Sequence, residues 1–492
     1  MKNARPLTLA IVLTLITALL VVTGCAAPTP TPTATPVPTA TPIPKVDYGA
    51  DLTYEGKLTY LIWGGEIDVN QEMAKAQRFM DKYPKITVEI LQQNGAWPDI
   101  LAAHKADGTF PDLFWNPDVS GFIVSDYVAD ISMFKDDVDY EKWNAALAKA
   151  ANYAGFQAAL PNKYFTSGVY INKTLLEQNN IDMPELDWSV ADFTSIAKDL
   201  AAVGGDFNAI GWPLWNSMVA TPDGIARAIR EGKPFDFGTA ENIKLQTARQ
   251  EQWKISTDYL RNNGGKEYYF ESGKCGMADD MNWGIGWYAL QANEGKGLPF
   301  EWDYYPLPSL EAGGKQYQLA ISDFVSIANI AMSDNDRAVS DAEKAKLTAA
   351  YVLLKYLCID EEGYMEALAL GFNSLPVFES ENAVTAFKAT FKIPGKPGYS
   401  KVLEIMNDPD LMVVEPNKFV PGTSDAYWSK YYAPLLDLDA DGKPWLTNAG
   451  FIANLQQKAA DANAQAAQVI ADASAALIKA LKDNWNVTWS PS

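Results

Sequence analysis

The spacing of apolar positions changes repeatedly along this chain, and each change marks an element. Leu58-Thr-Tyr-Leu-Ile-Trp63 is a β-branched and aromatic run bounded by Gly64-Gly65, and it predicts a strand. Gln71 to Tyr83 has helical spacing and stops at Pro84, after which Ile86-Thr-Val-Glu-Ile-Leu91 predicts a second strand. Strand, helix, strand implies a parallel pair joined by a right-handed crossover. Trp97 to Asp107 is predicted helical and Asp112 to Trp115 a third short strand. The loop after that strand lies at the carboxyl end of the sheet, where open α/β sheets bind ligands.

The stretch Leu160 to Phe193 reads as strand, helix, loop, helix. Gly168-Val-Tyr-Ile suits a buried strand, and the Asn172 side chain can accept first-turn N–H groups of the helix that follows. Met183-Pro184 breaks that helix, and Asp187-Trp188-Ser189 opens the next. Trp188, at a helix start away from the strand ends, reads as core. Leu319 to Ile330 is strand-like, while Asp341 to Leu357 and Glu361 to Leu370 are periodic helices. The C-terminal part is helix-rich, most clearly at Ser424 to Leu436 and in the alanine-rich Ala449 to Lys482. No repeat of solenoid period is present.

Residues 1–24 read as a targeting segment: Lys2 and Arg5 precede an apolar run from Leu7 to Val22. The run ends in Val22-Thr-Gly-Cys25, which resembles a bacterial lipobox and implies cleavage before Cys25 and lipidation of its thiol. A membrane-spanning helix, or an ordinary signal peptide with a chance cysteine, is the alternative. Residues 25–45 form a threonine-proline linker that favours extended polyproline geometry. At about 3.1 Å per residue it reaches on the order of 50–60 Å, a spacer between membrane and folded body.

With 492 residues the chain exceeds one ordinary core, and its 48% hydrophobic and 21% charged composition is that of a globular protein. The net charge of −21 opposes binding to nucleic acid or anionic lipid, so the membrane is met through the lipid anchor only. Cys25, Cys275 and Cys358 make neither a disulfide framework nor a metal spacing, and the last two are expected to be unpaired and buried. A single histidine, His104, excludes a two-histidine zinc site and leaves little room for a Ser-His-Asp triad.

Several segments, in order, resemble the family 1 extracellular solute-binding proteins, the sugar-capturing lipoproteins of ABC importers, of which maltose-binding protein is the best-known relative. They are Pro111-Asp-Leu-Phe-Trp115; Leu160-Pro161 with Tyr170-Ile-Asn-Lys173, Pro184 and Trp188; Phe270 to Trp283, FESGKCGMADDMNW; Trp302 to Pro308; and Gly371-Phe-Asn-Ser-Leu-Pro376. The resemblance implies an α/β, two-lobe, periplasmic-binding-protein-like fold with three inter-lobe crossings. Lobe 1 would hold 46–166 and 322–372, and lobe 2 167–321 and 373–492. It implies a non-catalytic protein that captures a sugar, most plainly an oligosaccharide, in the inter-lobe cleft and passes it to the permease subunits of an ABC importer outside the cytoplasm. A departure from the pattern is the lack of a basic residue between Trp63 and Glu66, which argues against a phosphorylated or acidic ligand.

Sugar sites combine flat aromatic faces, for the apolar side of a pyranose, with planar polar side chains for its hydroxyls. In the family the positions matching Trp63, Glu66, Trp115, Asp118, Trp212, Asn282, Trp283, Tyr427 and Trp428 line the cleft. Each tryptophan could instead be lobe core. Asp437, Asp439 and Asp441 begin a calcium-loop pattern, D-x-D-x-D-G, but Asn448 stands where its closing glutamate belongs. A solvated acidic turn is the simpler reading, so no cofactor is expected beyond a possible structural calcium. Two rivals stay open: a surface glycoside hydrolase with the same aromatic cleft, and a receptor for a cationic non-sugar such as a polyamine. Asp279-Asp280 reads as surface, and His104 as exposed. The lipobox has a direct check: labelled palmitate should enter the wild-type chain in a lipoprotein-competent host and not a Cys25→Ser variant. Label in both, or in neither, removes the anchor.

Overall fold

The computed structural model describes residues 52–230, 236, 238–329, 340–415, 419–422 and 450–490. The leader, Cys25, the linker, Tyr427, Trp428 and the trio Asp437, Asp439 and Asp441 lie outside the described residues.

β1 (Gly56–Ile62), α1 (Glu66–Lys82) and β2 (Ile86–Gln92) make the predicted strand–helix–strand unit, with both strands parallel. α1 begins well before the predicted Gln71, because Asp68 accepts the Gly65 N–H at 3.0 Å and puts negative charge at the positive end of the helix. α2 (Trp97–Ala106) returns the chain to β3 (Leu113–Asn116), parallel to β1 on its other side. Next come α3 (Val119–Val124), α4 (Ala145–Ala150) and the hairpin β4 (Asn152–Tyr153) and β5 (Phe156–Gln157).

β6 (Leu160–Asn172) is a single strand of 13 residues, all buried, where the sequence predicts only Gly168 to Ile171. Asn172 ends it by accepting the Leu175 N–H of α5 (Lys173–Gln178) at 2.9 Å, as predicted. α6 (Val190–Val203) is capped by Ser189, and Trp188 before it is buried, its indole donating to the Pro306 carbonyl at 2.8 Å. The chain continues through β7 (Asn208–Ile210), α7 (Asn216–Ala220), α8 (Ile225–Arg230), α9 (Ala240–Asn262) and β8 (Cys275–Met281). After α10 (Ala292–Gly295) come β9 (Trp302–Tyr305) and β10 (Gln318–Ile327). The rest is α11 (Asp341–Cys358), α12 (Glu361–Ala369), α13 (Glu381–Thr390), α14 (Pro397–Ile405), β11 (Met412–Val414) and α15 (Phe451–Trp485).

The central sheet runs β2-β1-β3-β10-β6-β8-β7, with β11 on β10 and β9 on β6. The first half of β6 lies antiparallel to β10, Leu160 to Thr166 against Val325 to Ala320. Its second half lies antiparallel to β8, Ser167 to Ile171 against Met281 to Met277, and to β9. Two apolar clusters pack on this sheet. One gathers Leu58, Phe79, Leu113, Trp115, Phe324 and Leu354 and extends to Tyr170, Cys275 and Tyr304 beside the second half of β6; the other gathers Val169, Ile171, Trp188, Phe193, Ile210 and Met277. α15 feeds both: Leu455 and Ala466 enter the second cluster, Leu477 and Leu481 the first. Beyond it, Trp485 packs on Phe156 and Trp489 on Tyr153. Among the described residues no helix is long and apolar enough to cross a membrane.

Cys275 and Cys358 are free and buried, as the sequence predicts. Burial pushes the Cys275 thiol up to about 12 and Cys358 higher still. In a Cys25→Ser chain at about pH 8, both thiols should therefore resist Ellman's reagent until denaturant is added. Rapid reaction in the folded state would contradict the packing around β8 and α11.

Candidate functional site

Strand register fixes where a ligand can be met. β3 runs antiparallel to β10, with Asn116 opposite Phe324, so its carboxyl end points toward Lys163 to Thr166 of β6. β8 ends at Met281 opposite Ser167 of β6, from the other side. The carboxyl ends of both halves of the sheet therefore converge on the middle of β6, the edge at which α/β sheets bind ligands.

In the first half, the turn after β1 is pinned by the Asn94 side chain, which accepts the Gly64 N–H and donates to the Gly64 carbonyl, both at 2.9 Å. Gly64 has φ of +103°, and a side chain there would strike Asp68. This turn holds Trp63, half-buried and edge-on to both Trp97 and Trp115, at 5.1 and 4.8 Å between centroids. Glu66 is exposed in the first turn of α1.

Trp115 corrects the sequence reading. It is completely buried, its indole N–H donates to the Tyr60 hydroxyl at 2.5 Å, and the Lys163 ammonium lies 4.3 Å from its ring centre. With one face under Lys163 and an edge against Trp63, it has no face for a sugar and stands behind the site. Asp118, half-buried, is spent on structure: it caps α3 by accepting the Gly121 N–H at 2.9 Å. Lys163, which the sequence reading passed over, pairs with Asp68 at 2.9 Å and puts a cation in the floor. Its only signal was that it is the one charged residue between Leu160 and Asn172.

Two residues along β6, and so on the same face, Phe165 meets Trp283 edge-on at 6.4 Å. Trp283 is 46% exposed, and its carbonyl accepts a hydrogen bond from Asn373. Trp287, one turn on, is 47% exposed, and Trp212, in the turn after β7, is 51% exposed. β7 and β8 are parallel, so these rings rise from neighbouring strand ends. Trp287 was missed because it follows the family-like motif, in a short stretch of π-helix. Asn282 is the second correction: fully buried, it accepts the Thr166 N–H at 2.9 Å and donates to the Tyr399 hydroxyl at 2.7 Å, leaving neither end for a ligand.

Asp279 and Asp280 are not surface residues. Asp279 is buried and accepts from the Trp215 N–H, from the Asn216 N–H at 2.8 Å and from the Asn216 side chain at 2.7 Å. Asp280 is half-buried and accepts from the Met281 N–H at 2.8 Å. Burial pushes both carboxyls up to about 6, against the pull of these donors. His104 is half-buried rather than exposed, its ring nitrogens against Gln93 and Thr109 at 3.1 and 3.0 Å. Among the described residues no group of three histidine, cysteine or acidic side chains is placed to hold a metal.

Comparison with known proteins agrees with this layout. The sequence pattern of one family, described as bacterial extracellular solute-binding protein, matches residues 74–395. No curated protein sequence matches the chain. An ABC substrate-binding protein from Listeria monocytogenes in complex with cycloalternan is similar in structure, with a TM-score of 0.61 at 15% identity over 85% of this chain and 100% of that one. A cyclic α-maltosyl-1,6-maltose binding protein from Arthrobacter globiformis scores 0.53 at 16% identity, over 86% and 99% of the two chains. A sugar transporter from Rhizobium etli in an open conformation scores 0.55 at 16%, over 84% and 99%. At these identities the likeness is one of fold, the two-lobe α/β fold of sugar-binding proteins.

The role of Asn282 has a stability readout. Asn282→Ala strands the Thr166 N–H and the Tyr399 hydroxyl in the interior and should lower the unfolding free energy by about 1–3 kcal/mol in urea titrations. An unchanged midpoint and slope would return Asn282 to the list of ligand-facing groups.

Proposed function

Because this chain belongs to the bacterial extracellular solute-binding proteins, we propose that it captures a neutral oligosaccharide between the two halves of its sheet and delivers it to an ABC importer from outside the cytoplasm, held to the membrane by a lipid on Cys25. The observation that carries this reading is the set of exposed rings, Trp212, Trp283 and Trp287, at the strand ends that face the Lys163–Phe165 floor. A large aromatic face left open at a sheet's carboxyl edge suits the apolar side of a pyranose, and Asp68, 31% exposed and held by the buried Lys163, offers an acceptor to hydroxyls. Trp63 and Glu66 would form the opposite wall, and Tyr427 and Trp428, which lie outside the described residues, stay candidates for the Trp283 side from the sequence alone.

Closure would bring the wall at Trp63 toward the wall at Trp283, turning about β6 and the neighbouring crossings. The sugar selects the closed state because only there is it held from both sides. A polyamine fits less well: Lys163 places a positive charge in the floor. Hydrolysis would need two carboxyl groups facing one sugar across about 5–10 Å, whereas Asp279 and Asp280 are neighbours on a strand and hold backbone and amide donors.

A glycan panel read by thermal shift should find oligosaccharides that raise the melting temperature, since a ligand of the folded state alone stabilises it. Trp283→Ala should then weaken binding by about 1.5–4 kcal/mol, roughly ten- to a thousandfold, with little loss of stability. Stability falling by about 3–5 kcal/mol at unchanged affinity would make Trp283 a core residue. Stabilisation by spermidine instead, lost with salt, would favour the polyamine reading, and steady release of shorter sugars the hydrolase.

A further inference from the structure

The sheet is almost sealed where its two halves meet. All 13 residues of β6 are buried, and along the ten residues of β10 only Ile321 and Asp323 are half-buried. One residue separates them, so they point to the same face of the sheet. We infer that this pair is where the floor meets the ligand: Asp323 accepts hydrogen bonds from sugar hydroxyls, and Ile321 lies beneath the apolar side of the ring. The inference deepens the oligosaccharide reading above and rests on it.

Strand register fixes what surrounds the pair. Ile321 lies opposite Phe165, and Asp323 opposite Lys163. Directly opposed side chains on one face are neighbours, with about 4.5–5.5 Å between their Cβ atoms. Phe165 leads to the exposed Trp283, while Lys163 leads to Asp68 and the Trp115 ring. The four side chains make one patch, apolar toward the Trp283 wall and charged toward α1.

The ladder is interrupted beside this patch. Asp323 pairs with Lys163 but Phe324 pairs with Pro161, so the register passes over Asn162. Such a bulge re-aims the side chains next to it, and bulges are over-represented beside functional sites. Here Asn162 turns inward against Tyr60 and Glu72, Phe324 enters the first apolar cluster, and Asp323 is left on the open side. A carboxylate in a central strand is disfavoured by strand preference and by partial desolvation. Those costs make its place at the convergence of the strand ends a sign of use.

The chemistry of the patch selects a class of ligand. A carboxylate only accepts, and hydroxyls donate to it in charge-assisted bonds about twice as strong as neutral ones. The Lys163 side chain is 4% exposed and 2.9 Å from Asp68, so its ammonium is enclosed. It offsets the charge of the floor without offering donors to solvent, and a cationic ligand gains little there. An acidic sugar would set its own carboxylate against Asp323 and Asp68, with the Lys163 charge already held. A neutral sugar fits both halves of the patch, hydroxyls over Asp323 and C–H groups over Ile321.

The wild-type chain provides the first test. Carboxyl groups are labelled with a water-soluble carbodiimide and glycine ethyl ester and read residue by residue by mass spectrometry. Without ligand, Asp323 and Asp68 should label and the buried Asp279 should not. Saturation with a neutral sugar, tried as cycloalternan, mannotriose and raffinose, should protect Asp323. Calorimetric titration of wild type, Asp323→Asn and Asp323→Ala with these sugars, trigalacturonate and spermidine is the second test. Asp323→Ala should bind the neutral sugar roughly ten- to a hundredfold more weakly, the worth of a hydrogen bond to a charged group, without a lower melting temperature. Asp323→Asn, whose amide still accepts but carries no charge, should fall between. An Asp323 that does not label in the free chain, or labels equally with sugar bound, overturns the inference even if the variants fail to fold. Unchanged affinity in Asp323→Ala, with Trp283→Ala weakened, removes Asp323 and leaves the oligosaccharide reading standing. Trigalacturonate or spermidine binding more tightly than all three neutral sugars, or no binding of any of the three, overturns both.

Discussion

A strand shared by two ladders constrains everything else in this molecule. β6 hydrogen-bonds to β10 through its first half and to β8 and β9 through its second, so a single backbone sets the register of both sides of the sheet. A slip of one residue would send every side chain to the wrong face of both halves at once. Side chains on either side hold it in place. Near its start, the Asn162 amide lies against Tyr60, Glu72 and Lys75. At its midpoint, Thr166 is tied to Asn282. At Gly168 a methyl group would meet the Tyr304 ring at 2.6 Å and the Tyr305 carbonyl oxygen at 2.7 Å, so the strands close up only around glycine.

The proposed floor stands on an unusually polar base. Glu72 and Lys75 form a buried pair at 2.9 Å, and the Lys75 ammonium also lies 4.0 Å from the Phe372 ring centre. Desolvation lowers Lys75 from its ordinary range, against the pull of Glu72. Lys163 lies over the Trp115 ring and, farther off, over Phe372. Such pairs add little net stability but are severely punished when one partner is lost, so they define one arrangement more than they strengthen it. Two ammonium groups and a stack of rings thus join α1, β6 and the Phe372 segment directly below the place where the two strand edges meet.

Much of this was legible in the sequence. The strand–helix–strand opening, the cap at Asn172, the helix start at Asp187 to Ser189, the buried Trp188 and the late helices follow from local rules that tertiary packing did not override. The site was harder to read. Trp115 and Trp283 both end short strands and both match family-like motifs, yet one is sealed beneath Lys163 and the other is open, a difference made by residues distant in sequence. Asn282 looked like a sugar ligand because planar amides bind hydroxyls and backbone N–H groups equally well. The carboxylates of β8 were masked by composition: among 61 acidic residues, nothing local distinguishes two that turn inward.

α15 also bears on the order in which the protein can form. Its 35 residues extend about 52 Å, and they place Leu455 in one core and Leu477 and Leu481 in the other. A chain made from its amino end folds each domain as soon as that domain's residues are available. Here neither core has all its residues until nearly the whole chain has been synthesised. The nascent protein therefore stays short of its native packing throughout translation, a useful property in a member of a family that works outside the cytoplasm.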